Sequence, residues 1–242
     1  MGQGEGVKAM TFTQELKKEI KAIFETKWNK RDGRVVPDSE SVTLGNDSIE
    51  LEATVLYADL VASTDLVDGY KNWFSAEVYK AYLSTACKII RNNSGEITAF
   101  DGDRVMGIFI GDSKNSDAAK TALQIEWAVK NLINKTLKEV YPNNTYLLKQ
   151  VIGIDTSKLF IAKTGIRDSN DLVWVGKSAN YAAKLCAIRE EGFHTYITND
   201  VFLKLNDKSK YGGTPKRLMW EERHWEKQKI KIHRSNWHWS LD

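Results

Sequence analysis

The chain of 242 residues has little of what secreted or membrane proteins depend on, with two cysteines, three prolines and no run of about 18 consecutive apolar residues. Cys87 and Cys186 lie far apart in apolar, helix-like surroundings, which predicts reduced core thiols rather than a disulfide. A chain this long buries roughly three quarters of its unfolded surface on folding, so neither a disulfide nor a structural metal is required. The missing apolar run excludes a membrane-spanning helix. The opening MGQGEGVKAM has no hydrophobic segment of the secretory kind, so a cytoplasmic location is expected. In that setting the N-x-S/T triplets at Asn92, Asn134 and Asn143 are chance matches. Charge of one sign is scarce too: 35 basic residues face 32 acidic ones, a net charge of +3 that does not call for nucleic acid. The basic run from Lys227 to Arg234 reads as a solvated edge strand, with a phosphate-binding patch as the alternative.

What is present is an ordinary globular composition, 42% hydrophobic and 28% charged. Leu16, Ile20, Ile23, Phe24 and Trp28 recur at helical spacing, so residues 11–30 should form an amphipathic helix capped by Thr11 or Thr13. This helix could serve a dimer, the sheet or an effector. Residues 31–50 turn to Gly, Pro, Asp, Ser and Asn, which marks a connector, and the main domain is expected over 51–242.

From there strands and helices alternate. Strands are expected at 53–58, 96–100, 104–110, 147–154, 159–164, 172–175, 194–198, 218–225 and 230–239, with helices at 74–92, 117–140 and 177–189 and a helical turn at 200–205. Asp101-Gly102 is a hairpin signal. The order implies an α+β fold with antiparallel neighbours and helices packed on one face. Trp220, Trp225, Trp237 and Trp239 fall in the terminal strands, where they should close the core by cross-strand packing.

Three features carry chemistry. Asp59 ends a strand that should be buried, and a carboxylate there needs a cation, a donor cluster or the surface. Asp103 follows the Asp101-Gly102 turn, so antiparallel pairing of the two strands would bring both carboxylates to one sheet edge. Such a pair can bind Mg²⁺ or share a proton, and a helix cap plus a turn residue is the plainer alternative. Leu60-Val61-Ala62-Ser63-Thr64 offers small residues whose backbone N–H groups could face an anion. Asn180 and Lys184 share one helix face, either a phosphate clamp or a solvated surface.

VLYADLVASTDL, AFDGDRVMGIF, the VIGID segment and VWVGKSANYAAKL, in this order over residues 51–200, resemble the class III nucleotidyl cyclases. The resemblance implies a ferredoxin-like catalytic domain, a head-to-tail homodimer with shared active sites, and two divalent ions per site, Mg²⁺ or Mn²⁺. On matching positions, Asp59 and Asp103 would bind metal with the Leu60 carbonyl. Asn180 would orient the ribose, and Lys184 stands where the family has an arginine that stabilises the transition state. Lysine keeps the charge and loses the planar fork. Lys231, with Arg234 as its rival, would contact the triphosphate, and Ala62, Ser63 and Thr64 would line the substrate.

The positions that read a purine in this class hold Ala99 and Val173, which cannot make those hydrogen bonds. Tyr57 replaces a phenylalanine that lines the base pocket. Intact metal positions without the purine pair resemble the pyrimidine cyclases of bacterial Pycsar antiphage defence. That resemblance implies UTP as substrate, with CTP second, a cyclic nucleotide product and a separate effector protein, with no nucleic-acid or membrane partner. A catalytically inactive dimerisation or nucleotide-sensing module is the alternative. A dinucleotide cyclase or polymerase on a related palm ranks third, since no GGDEF-like run occurs.

Overall fold

A computed structural model describes residues 10–242. Helix α1 (Phe12–Glu25) starts with a capping box, in which Thr11 accepts from the Gln14 amide and the Gln14 side chain accepts from the Thr11 amide. It buries none of its residues, and its apolar stripe, including Phe12, Ile20 and Phe24, stays exposed. Strand β1 (Asn29–Asp32) then pairs in parallel with the start of β2 (Asp47–Leu60). The stretch read as a connector therefore supplies an edge strand, and the central strand begins at Asp47. Polar, wholly exposed Asn29–Asp32 shows no alternation from which to read a strand.

The short α2 (Ser63–Gly69) leads into α3 (Asn72–Asn92), whose Phe74, Val78, Tyr82, Ala86 and Ile90 recur every fourth residue on the buried face. A hairpin of β3 (Glu96–Asp101) and β4 (Arg104–Phe109) follows, with Gly102 at φ +60 in its turn. The expected long helix is α4 (Lys114–Ala128), one π turn at Val129–Ile133, and α5 (Asn134–Val140).

Strand β5 (Gln150–Ile166) is a single strand where the sequence suggests two. Its polar centre looks like a break, but Thr156 is buried beside Thr54 at 3.1 Å, and Asp155 accepts a hydrogen bond from Thr198. Then come β6 (Ser169–Val175), α6 (Lys177–Leu185), β7 (Thr195–Thr198), α7 (Asn199–Leu203) and α8 (Asp207–Lys210). A small β8 (Tyr211–Gly212) and β9 (Arg217–Leu218) ribbon precedes β10 (Glu221–Trp225) and β11 (Ile230–Ser235).

Among the described residues nine strands form one sheet, ordered β10-β11-β7-β5-β2-β4-β3, with β1 beside β2 and β6 beside β5. The inner order β5-β2-β4-β3 places the first strand between the last and the third, the ferredoxin-like arrangement expected. All pairs are antiparallel except β1 with β2 and β5 with β7. The basic run read as an edge strand lies one strand in, because the β10–β11 hairpin gives the edge to β10. Trp220, Trp237 and Trp239 pack on the main core, whereas Trp225 meets Tyr181 edge-on.

The two faces of β2 serve different cores. Leu56, Ala58 and Leu60 meet α3 and α4, while Val55 and Tyr57 face a second cluster with Met106, Ile108 and Ala182 of α6. Asp59 shares its parity with Tyr57, so its carboxylate belongs to that second face. Cys87 is half-buried and Cys186 buried, both as free thiols.

Candidate functional site

Antiparallel pairing of β2 and β4 sets Asp59 opposite Arg104. Asp103 is thereby placed beside Asp59, as the strand-end and turn positions predict. The Asp59 side chain is 8% exposed and holds two cations: Arg104 Nε and Arg189 Nη2 each donate to it at 3.3 Å. Burial raises the Asp59 pKa, the Arg104 charge and hydrogen bond oppose that rise, and Asp103 pushes it further up. Asp103 is half-buried, and its Oδ2 is enclosed without a hydrogen-bond partner. An enclosed carboxylate oxygen with no donor, beside a second carboxylate, is a donor set for a hard divalent cation. Among the described residues no three His, Cys, Asp or Glu side chains converge on a metal position.

Leu60 is buried, and the chain then turns sharply. Ala62 takes the left-handed conformation at φ 56 and caps the seven-residue α2, while Ser63 is half-buried and Thr64 exposed. A non-glycine residue held there stores strain at the predicted substrate segment. Tyr57 is half-buried beneath Arg104, whose guanidinium lies 5.9 Å from the ring. Burial raises the pKa of the Tyr57 phenol. The Cys186 thiol donates to the Tyr57 carbonyl at 2.8 Å, and this links β2 to the end of α6.

Asn180 and Lys184 share an exposed face of α6, as their spacing predicts. Asn180 Nδ2 donates to the Gly176 carbonyl at 3.3 Å, and Lys184 Nζ lies 6.0 Å from the Tyr181 ring. Among the described residues, no hydrogen bond or ion pair joins either of them to Asp59 or Asp103. Lys231 is exposed and pairs with Glu222 at 2.9 Å across the β10–β11 hairpin, away from the carboxylates. Its rival Arg234 bonds to Glu190 and Glu221 and stacks 3.5 Å from the Phe193 ring centre. Ala99 is half-buried beside a register shift in β3, and Val173 is 39% exposed on β6.

Two residues at this site were not singled out from sequence. Arg104 had a signal, since it follows Asp103 directly and faces Asp59 across the ladder. Arg189 had none, because it lies in the loop after α6, which ends at Leu185 rather than at the expected Arg189. Its Nη1 donates to the Cys186 and Ile188 carbonyls, which aims Nη2 at Asp59. Beside it opens a cleft of about 500 Å³ lined by Val61, Lys149, Val151 and His194. A larger groove of about 660 Å³ lies between α3 and α5 and contains none of these residues.

No family model matches the chain. It is 48% identical to the uridylate cyclase of Xanthomonas perforans over 222 residues, covering 91% of this chain and 94% of that protein. It is 44% identical to the uridylate cyclase of Burkholderia cepacia over 234 residues, covering 96% of this chain and all of that protein, 100%. Among solved structures, a bacterial light-regulated adenylyl cyclase superposes with a TM-score of 0.68 at 21% identity, over 81% of this chain and 54% of that one. With the ferredoxin-like sheet, the carboxylate pair at the end of its central strand and this identity over nearly the whole chain, the protein belongs to the class III nucleotidyl cyclases, in the family of those two uridylate cyclases.

Proposed function

We propose that the protein converts UTP to 3′,5′-cyclic UMP and pyrophosphate, with CTP the less favoured pyrimidine substrate. Its product would signal to a separate effector protein in bacterial antiphage defence. The observation that carries the reading is the pair Asp59 and Asp103, with a buried carboxylate oxygen left without a donor. The uridylate cyclase names of its relatives support the choice of base. We assign the catalytic unit to residues 51–242 together with β1 and the Asp47–Glu50 start of β2, which belong to the same sheet, with α1 (Phe12–Glu25) as a leading helix.

Asp59, Asp103 and the Leu60 carbonyl would hold the two divalent ions, Mg²⁺ or Mn²⁺. When bound, such ions lower the pKa of the ribose 3′-hydroxyl and neutralise the triphosphate. Such ions would compete with Arg104 and Arg189 for the Asp59 oxygens, and a guanidinium released in that way could pair with phosphate oxygens. The 3′ oxygen forms a bond to the α-phosphorus, the bond to the bridging oxygen breaks, and pyrophosphate leaves. Asn180 of a partner copy orients the ribose and Lys184 offsets charge on the α-phosphate, so a homodimer has two shared sites. Ala62, Ser63 and Thr64 would contact the triphosphate, with Lys231 reaching it from a partner. Tyr57, Ala99 and Val173 would line the base.

Lysine in place of the family's arginine favours a second reading, a cyclase-like module that binds nucleotide without turnover. Incubating the protein with Mn²⁺ or Mg²⁺ and each of ATP, GTP, CTP and UTP, with products identified by mass spectrometry, separates the two. Cyclic UMP is expected. Cyclic AMP or GMP would overturn the base assignment, and no product from any nucleotide would favour the binding module.

A further inference from the structure

Helix α1 buries none of its 14 residues, yet Phe12, Leu16, Ile20, Ile23 and Phe24 form one stripe along it, each at least 41% exposed. A helix this short is marginal in water on its own, and amphipathic helices draw their stability from the face they bury. Residues 1–9, MGQGEGVKA, have Met1 and Val7 as their only large apolar side chains, too few to cover the stripe. The end of the helix is nonetheless tied down. Asn46 Nδ2 donates to the Ile23 and Thr26 carbonyls at 2.8 and 2.6 Å, and Trp28 meets Phe160 edge-on with ring centres 4.8 Å apart. The stripe is therefore presented from a fixed base beside the head of β2.

The charges around the stripe bear on what covers it. Lys17, Lys18 and Lys21 balance Glu15, Glu19 and Glu25, so α1 lacks the lysine-rich polar face that draws interfacial helices to anionic lipid. The signs are sorted instead. At about 100° per residue, Glu15 and Glu19 flank the stripe on one side, Lys17 and Lys21 on the other, and Lys18 and Glu25 lie opposite it. Lys21 reaches Glu25 at 3.6 Å, an exposed pair of little strength, and among the described residues Glu15, Glu19 and Lys17 have no ion pair. A helix with one acidic and one basic flank is complementary to itself. Two copies packed in parallel set each acidic flank beside the other's basic flank, whereas an antiparallel pair sets acid against acid.

We propose that α1 of two copies pairs in parallel through this stripe, clamping a homodimer from outside the catalytic unit. Five side chains of this size offer on the order of 500 Å² per copy, about 1,000 Å² for the pair, which is the lower bound of a specific interface. A contact of that size is weak alone, and it acts by holding the two catalytic units at high effective concentration. The inference concerns assembly and goes beyond the cyclase reading; only its activity readout rests on that reading, through sites shared between copies.

The test is oxidative cross-linking in a Cys87→Ser background, read together with sedimentation velocity. A parallel pair brings each stripe position against its own counterpart, so Leu16→Cys and Ile23→Cys should each give disulfide-linked dimers, while Lys18→Cys, on the far side, should not. Ile20→Glu should raise the dimer dissociation constant about tenfold or more and keep a cooperative thermal transition, since Ile20 is 54% exposed in a single copy. Turnover per chain in that variant should drop at nanomolar protein and recover at high protein concentration. Cross-links that need a mixture of L16C and I23C would overturn the parallel arrangement. Loss of dimers without any cross-link would put the stripe on another surface of the second copy and so remove the helix pair. Unchanged dimerisation in I20E sinks the proposal, and if I20E also abolishes co-sedimentation with phosphatidylglycerol vesicles, the stripe serves a lipid surface. Cross-linked dimers that make no cyclic nucleotide would keep the helix pair and remove the cyclase reading alone.

Discussion

The end of β2 and the exposed face of α6 carry charge in opposite ways. Asp59 is buried and paired with two arginines, and Asp103 beside it is half-enclosed, whereas Asn180 and Lys184 lie open and, among the described residues, bind nothing acidic. A buried carboxylate pair exposes the protein to a desolvation cost that a bound cation would offset, and an unpartnered lysine on a helix costs nothing until a ligand arrives. One region is built in advance and the other is held ready. The contrast fits a site completed from two copies, each supplying its carboxylates to one pocket and its α6 face to the other.

The largest expected effect comes from breaking the built half. Asp103→Asn should lower turnover by about a thousandfold or more while leaving the melting temperature nearly unchanged, since the enclosed Oδ2 makes no hydrogen bond to lose. Next is the open half: Lys184→Ala should cost about a hundredfold in kcat. Mixing D103N with K184A should restore activity through heterodimers that keep one intact site. Lack of rescue in the mixture, with dimers present by sedimentation, would mean that each chain builds its site alone.

The tie between the regions can be loosened through Gly153. A Cβ there would overlap the Ala182 carbonyl and the Cys186 amide, so α6 lies this close to β5 because the residue is glycine. Gly153→Ala should destabilise the fold by roughly 1–3 kcal/mol in denaturant unfolding, and should reduce turnover by displacing Asn180 and Lys184. Acid sharpens the comparison from outside the site. His233 is 3% exposed, hydrogen-bonds Asn199 at 3.1 Å and stacks on Phe202, and burial lowers its pKa from 6.5 to about 4. The unfolded chain then binds a proton that the folded chain refuses, so stability should fall by up to about 1.4 kcal/mol per pH unit from pH 6.5 down to 4. His233→Gln should flatten that slope in melts across the range.

The smallest expected change is at Arg189. Arg189→Ala removes one of the cations that compete for Asp59, so the concentration of Mn²⁺ giving half-maximal activity should fall by a few-fold even if kcat drops. A higher metal requirement would show that Arg189 supports the ion-binding geometry instead of opposing it.

Much of this was legible in the sequence, for reasons particular to each element. Asp59 was visible because a carboxylate at the end of an apolar strand is out of place, and Asp103 because Asp-Gly turns announce hairpins. That Asn180 and Lys184 share one helix face followed from helical spacing, whereas the roles expected of them came from the resemblance. Strand β5 was misread because Asp155 and Thr156 look like solvent-facing residues, and their burial depends on hydroxyl partners remote in sequence, Thr54 for Thr156 and Thr198 of β7 for Asp155. Lys231 was chosen by its correspondence to the late lysine of the resembled family, and its pairing with Glu222 required knowing the β10–β11 register.

By itself, the sequence determined the alternation of elements, the α+β class, the free thiols and the residue types at the carboxylate and α6 positions. All of these rest on periodicity, turn chemistry and burial preference, which act over a few neighbouring residues. Only the tertiary structure decided that Arg104 and Arg189 share Asp59 and that Asp103 keeps an unpartnered oxygen. Those facts depend on which strands become neighbours and in what register, and register is set by the packing of the whole sheet rather than by any segment of it.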